Sequence, residues 1–327
     1  MNRNASVAPS RADLHYASVG ALVILFALLP VFVPAYPVYL ITLIMLFAYW
    51  GQAWNIQCGI AGQFTFMHPI FIGAGAYTST LLYNGLGITP WLGMFVGACV
   101  AIVAGIPMVY VAHRIKLPPL SVALFSLAFV FVARYISEGE TLLGGNDRSI
   151  FVRKAPGFAN LQFTSNAGFY YTMLVLVVVI MAITCLILRS RLGLCFKAMR
   201  DNERAAEAVG VNLLRYKLTA MAISGFFTAV GGSFYAQLAG SLQPATAISV
   251  ENVVKIILFV AVGGIGTLWG PIFGASLLMG AGTILELKLH EVPALQPLLY
   301  GVVVIGVLMA TPKGLVDLSK RAMKRTQ

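Results

Sequence analysis

Two long charge-free stretches with a short basic segment between them set the terms for this chain. No Asp, Glu, Lys or Arg occurs from Ala155 to Leu188, and none from Leu218 to Val250. Between them runs RSRLGLCFKAMRDNERAAEAVGVNLLRYK, Arg189 to Lys217, with seven basic side chains and three acids. Apolar runs long enough to cross a bilayer, joined by a polar island, read as two membrane helices and a water-exposed loop. The island also has local grammar. Asp201 or Asn202 can N-cap a short Ala-rich helix, Glu203 suits its first turn, and Gly210 supplies the left-handed residue that ends it. Asn212 can cap the helix that follows. A water-exposed loop with structure of its own is a surface for a partner.

Composition extends this reading to the whole chain. The 327 residues are 59% hydrophobic and 10% charged, with mean hydropathy +0.86, which specifies an all-α polytopic membrane protein. Apolar runs fall at roughly 17–34, 37–56, 68–84, 90–112, 118–137, 167–188, 217–239, 251–265, 271–287 and 297–311, or about ten spans. The first is expected to be retained, because Pro30, Pro34 and Pro37 offer no signal-peptidase site. If both termini are cytoplasmic, sixteen of the 22 basic residues fall on the inner side, as the positive-inside rule requires. The net charge of +11 then reflects topology, and no nucleic-acid partner is expected. Residues 1–16 form a cytosolic tail, 17–313 a transmembrane domain whose inner loop is 189–217, and 314–327 a basic cytosolic tail. The segment 138–166 is the long outer loop, either a connector or a docking ledge.

Two segments interrupt the span pattern. GIAGQFTFMHPIFIGAGAY (Gly59 to Tyr77) and GGIGTLWGPIFGA (Gly263 to Ala275) each place glycines ahead of a Pro-Ile-Phe triplet, where proline suits the first turn of a new helix. Glycine-rich backbone between spans must be satisfied by protein or water, not lipid. Paired interruptions in two halves of a chain point to an inverted repeat around a central pathway. Gly62, Gln63, Thr65, His68 and Tyr77 are the candidate pathway residues. Gly263, Gly264, Gly266, Gly270 and Pro271 form the candidate second hinge. For His68, packing or capping competes with lining a route; for Gln63 and Tyr77, hydrogen bonding across helices does. Gly93/Gly97 and Gly270/Gly274 read as close helix contacts.

Several chemistries are missing. No Gly-Lys dipeptide exists, so no Walker A loop does either, and no HExxH or GxSxG occurs. The four histidines and four cysteines lack metal-ligand spacing, so no metal site and no cofactor in this chain is expected. Charge within spans is scarce: Glu251 and Lys255 are placed to pair on one helix face, and no central carboxylate series supports a proton relay. A stand-alone secondary transporter or channel, or a proton-pumping subunit, would need such groups.

The motifs carry a resemblance in order over about residues 40–317. RSRLGLCFKAMRDNERAAEAVGVNLLRYKLTAMAISGFFTAVGGSFYA is similar to the cytoplasmic-loop signature of branched-chain amino-acid permeases of ATP-binding-cassette importers, LivM type. GIAGQFTFMHPIFIGAGAYTSTLL resembles that family's Gly-Gln-Leu-Ser-Leu-Gly-His segment, LLGGND its outer Thr-Gly-Gly-Ser-Asp motif, and VGGIGTLWGPIFGA its late Gly-rich turn. Against the general importer pattern Glu-Ala-Ala-x-x-x-Gly, this chain has Arg204, Ala205, Ala206 and Gly210, with glutamates at Glu203 and Glu207. The resemblance implies that Asp201, Asn202, Glu203, Ala205, Ala206, Glu207 and Gly210 form the ATPase-coupling element. It further implies a second homologous permease of LivH type, two ATPase subunits that bind ATP and Mg, a periplasmic binding protein, and a place in the bacterial inner membrane. Phe64, Thr65, Met67, Pro69, Leu143, Asn146 and Arg148 depart from the family pattern, which leaves the carried solute open.

Overall fold

In the computed structural model the described residues are 33–140, 143, 149–288 and a few positions at 30 and between 301 and 315. The expected spans 17–34 and 297–311 and both tails lie largely outside them. The helices are α1 (Ala35–Trp54), which runs on into a π-helical turn (Asn55–Ile60), α2 (His68–Leu86), α3 (Pro90–Arg114), α4 (Pro119–Gly139), α5 (Asn166–Arg189), α6 (Arg191–Asp201), α7 (Glu203–Ala208), α8 (Leu213–Ala239), α9 (Pro244–Ala247), α10 (Val250–Gly263) and α11 (Gly270–Lys288). Prolines open α3 and α4, where a missing N–H costs nothing, and glycines at positive φ, Gly87 and Gly240, close α2 and α8.

Among the described residues six stretches are long and apolar enough to cross a membrane: Ala35–Ile60, Pro90–Arg114, Pro119–Gly139, Asn166–Arg189, Leu213–Ala239 and Pro244–Gly263. The protein is therefore helical and multi-pass. Two of the expected spans differ in character. Helix α2 is rich in Gly, Ser, Thr and Tyr and largely buried, because it faces other helices and not lipid. Helix α11 is apolar over the shorter run Gly270–Leu285. The span expected at 251–265 starts earlier, as α9, and breaks at Ile248–Ser249 before α10.

Helices α2, α3 and α8 pack mutually, and α1 ties them to α5 on one side and to the α10–α11 pair on the other. The close approach of α2 to α8 depends on small residues: Gly75 lies against the Ala229 backbone and Gly232 against that of Ile72, with no room for a Cβ at either. Gly93 and Gly97 set α3 against Ser79 and Gly75 of α2 in the same way. Trp50, Trp54, Tyr49, Phe71 and Phe234 fill the space around this contact. Helix α4 touches its neighbours sparsely and leaves Leu120, Leu124 and Tyr135 exposed.

The two ends of the bundle differ. At one, strand β1 (Ile150–Phe151) pairs antiparallel with β2 (Ser241–Leu242), so the 138–166 segment is joined to the end of α8 and not folded only on itself. Asn84 Nδ2 donates to Phe151 O, Trp91 Nε1 to Phe158 O and Gln243 Nε2 to Ser149 Oγ. The other end holds α6, α7, the α3–α4 turn and both interrupted segments, with Arg114, Lys116, Arg200, Arg204 and Lys217. The Glu251–Lys255 pair expected from spacing forms at 2.6 Å.

Candidate functional site

The basic segment folds as two short helices, each with its own cap. Ser190 Oγ accepts from Gly193 N and starts α6. Asn202 Oδ1 accepts from Ala205 N at 3.1 Å and starts α7. Of the two capping candidates, Asn202 does the capping, while Asp201 is the last residue of α6. Glu203 stands in the first turn of α7 and bonds Lys217 Nζ at 2.7 Å, which links α7 to the start of α8. Gly210 has φ +90° with open space around it, and Asn212 Oδ1 accepts from Arg215 N to cap α8.

Burial sorts the remaining loop residues. Ala206 faces the core, as do Phe196 and Met199 of α6. Ala205, Glu207 and Ala208 are exposed, and Val209 is 80% exposed. Val209, the residue just past the end of α7, is thus a β-branched apolar side chain left open beside the exposed Ala205 and Ala208.

The first interrupted segment leaves α1 through the π turn and runs without regular secondary structure to His68. Protein groups satisfy part of its backbone, and Gly62 and Phe64 are exposed, in keeping with the need of non-helical backbone for protein or water. Trp54 Nε1 donates to Thr65 O at 3.1 Å, Phe66 N donates to Ser126 Oγ, and Met67 N to Thr65 Oγ1. The second interrupted segment meets the first directly. Gly266 N donates to Asn55 Oδ1 at 2.7 Å, and Asn55 Nδ2 donates to Thr267 O at 2.8 Å. Gly264 and Gly266 both take positive φ, and Thr267 Oγ1 accepts from Gly270 N where α11 begins beside Pro271. Gly263 lies against the Gly270 backbone.

Gly62, Gln63 and Thr65 line one cleft of about 780 Å³ at the basic end, together with Gln57, Arg114, Lys116, Arg204, Glu207 and Lys217. Gln57 Oε1 and Gln63 Nε2 are buried without a partner among the described groups. His68 and Tyr77 do not line this cleft. Tyr77 is buried toward the opposite end, beside Ala236, Leu242 and Ala247. His68 is fully buried at the start of α2 and caps nothing; its Nε2 lies 2.8 Å from Ser224 Oγ. Ser224 Oγ donates its only proton to Ala53 O at 2.7 Å, so the histidine must be the donor, with Nε2 protonated and Nδ1 bare. Among the described residues no group of three or more His, Cys, Asp or Glu is placed to hold a metal.

Asn55, Gln57 and Arg200 were not among the sequence candidates, nor was Gln52, whose amide is buried in α1 with both polar atoms unpartnered among the described residues. A polar residue inside an apolar span was the available signal for Gln52 and Asn55.

Set against known proteins, the sequence pattern of the family described as "Branched-chain amino acid transport system / permease component" matches residues 36–309. The chain belongs to that family. It is similar to the high-affinity branched-chain amino acid transport system permease protein LivM of Escherichia coli, at 24% identity over 93% of this chain and 75% of the relative. It is similar as well to the fructose import permease protein FrcC of Rhizobium meliloti (25%, over 78% of this chain and 67% of the relative). The L-arabinose transport system permease protein AraH of Escherichia coli matches at 25%, over 82% of this chain and 78% of the relative. No solved structure matches the chain. Membership and the apolar helices together make this a permease of the ATP-binding-cassette transporter type, multi-pass in the bacterial inner membrane. The family implies ATPase and binding-protein partners in general.

Proposed function

We propose that this chain translocates branched-chain amino acids, or small polar solutes of comparable size, as one permease of a two-permease importer. A periplasmic binding protein delivers the solute, a second permease of LivH type completes the pathway, and two ATPase subunits, which bind ATP and Mg, drive it. The chain has ten spans arranged as an inverted repeat, with both termini and the Arg189–Lys217 loop cytoplasmic. The observation that carries the reading is α7: a short helix capped by Asn202 and anchored by Ala206, with Ala205, Ala208 and Val209 left open. Such a rigid knob suits a groove on an ATPase. It projects at the end where both interrupted segments meet, so movement there can rock the helices between two packings.

Solute would leave past Gly62, Gln63 and Thr65 through the cleft they line. The glycine turn from Gly263 to Pro271 acts as the second hinge. Selectivity rests mostly with the binding protein, because tight binding along the route would slow release.

The test is reconstitution of the chain with the permease, ATPases and binding protein encoded beside it. ATP-dependent uptake into liposomes is expected, and ligand binding by the isolated binding protein identifies the solute. Uptake by this chain alone, driven by an ion gradient, would establish a secondary transporter instead.

A further inference from the structure

One side chain of the basic segment reaches the junction of the two interrupted segments. Arg200, in the last turn of α6, donates through Nη1 to Gly59 O at 3.2 Å. That carbonyl lies where the chain leaves its helical path: the π turn's last backbone bonds run from Ala61 N to Ile56 O and from Gln63 N to Gln57 O. The Arg200 main chain and stem cover Gly62, where a Cβ would come within 2.7–2.8 Å of Arg200 Cα, Cβ and Cγ. Nη1 also flanks Gly266, where a Cβ would stand 3.1 Å from it and 3.0 Å from Gly59 O. Asn55 completes the junction through Gly266 N and Thr267 O. Residues 55–62, 200 and 266–267 thus meet at one point.

The neighbouring acid does not hold the guanidinium elsewhere. The Arg200–Asp201 contacts are long, at 3.4 Å, and the Asp201 side chain is exposed, so solvent screens that pair. Helix α6 is itself fixed by the buried Phe196 and Met199, and Arg200 must move with it.

We propose that Arg200 is a positioning residue that ties the coupling loop to both interrupted segments. Displacement of α6 and α7 then carries the Asn55–Gly266 junction along as one body. This inference rests on the loop being the ATPase contact. A guanidinium suits the task because its planar fork can bond Gly59 O while lying against Gly266; an ammonium supplies one compact charge and no flat face. Methionine keeps much of the stem over Gly62 and removes every donor.

The experiment compares wild type, Arg200→Lys and Arg200→Met in the full complex reconstituted in liposomes, and reads solute moved per ATP hydrolysed. Arg200→Met is expected to retain the ATPases on purification while this ratio falls about 3- to 30-fold, with Arg200→Lys between it and wild type. A wild-type ratio in Arg200→Met overturns the proposal. So does loss of ATPase association in proportion to loss of transport, which would make Arg200 a docking residue. Hydrogen exchange at the 264–267 amides gives a reading that needs no ATPase. Exchange is expected to accelerate in Arg200→Met as it does in Asn55→Ala, and unchanged exchange would overturn the tie itself. If the wild-type chain binds no ATPase but exchange still responds, the coupling reading fails and the contact stands.

Discussion

Asn55→Ala removes the side chain that bonds the second interrupted segment to the π turn from which the first departs. Asn55 is fully buried, accepts from Gly266 N at 2.7 Å and donates to Thr267 O at 2.8 Å. Leaving a buried donor or acceptor unpaired costs about 1–3 kcal/mol each. Polar contacts between membrane helices measure lower, about 0.6 and at most about 1.7 kcal/mol, because alternative partners are found. Gly266 and Thr267 are only half-buried, so water re-solvates them in part, and a total loss of about 1–3 kcal/mol is expected. Asn55→Asp separates the two bonds. It keeps the acceptor for Gly266 N but sets a carboxylate against Thr267 O; once protonated, it can donate to that carbonyl again. The Asp variant should therefore gain stability on acidification, whereas the Ala variant should not. Unfolding of the purified complex in mixed micelles, followed by tryptophan fluorescence, measures both. An Ala variant as resistant to denaturant as wild type, with an Asp variant insensitive to pH, would refute the junction.

Val209→Asp should leave the chain folded and inserted but abolish co-purification with the ATPases, since Val209 is 80% exposed. Ala206→Arg should also lower stability, because Ala206 faces the core, and melting of the two variants separates the effects. Gly210→Val forces a β-branched residue to φ +90°, a strain of about 1–3 kcal/mol, and should lower uptake without changing membrane insertion as judged by fractionation. In a cysteine-free background, a cysteine at Ser149 should react with an impermeant thiol reagent from outside and one at Arg200 only from inside; the reverse would overturn the orientation. His68→Gln, whose amide can still donate to Ser224, should keep uptake and its profile between about pH 6 and 8. His68→Trp should fail in the α2–α8 packing and lower expression.

What was legible in the sequence was local. Asn202, Glu203, Gly210 and Asn212 could be placed because a cap needs only the next three or four residues, and Glu251–Lys255 because i,i+4 neighbours share a helix face. The two interruptions were legible from their glycines and prolines. That they meet was not, since the bonds that join them span 211 and 212 residues and Arg200 reaches Gly59 across 141. Helix α6 was hidden for another reason: its core-facing side, Leu192, Phe196 and Met199, covers only about two turns among charges, too short a pattern to separate from loop. Tyr77 was grouped with His68 by its place in one motif. Nine residues of helix carry it away from the cleft toward the opposite end.

Non-helical backbone inside a membrane needs protein or water, and the first interrupted segment shows how the two divide. Its main chain is bonded by protein: Trp54 donates to Thr65 O, Arg200 donates to Gly59 O, and Ser126 accepts from Phe66 N. The His68–Ser224–Ala53 chain holds the start of α2 against α1 and α8. These contacts make the segment a braced joint. Gln57 Oε1, Gln63 Nε2 and His68 Nδ1 are buried without a partner among the described groups, and of these residues Gln57 and Gln63 line the cleft. Amides carry a donor and an acceptor on one flat group and no charge, so they can exchange hydrogen bonds with a polar solute without holding it as an ion pair would. Bracing therefore falls to Asn55, Trp54, Ser126 and Arg200, and on the proposed route the amides of Gln57 and Gln63, which line the cleft, are the groups a solute would meet.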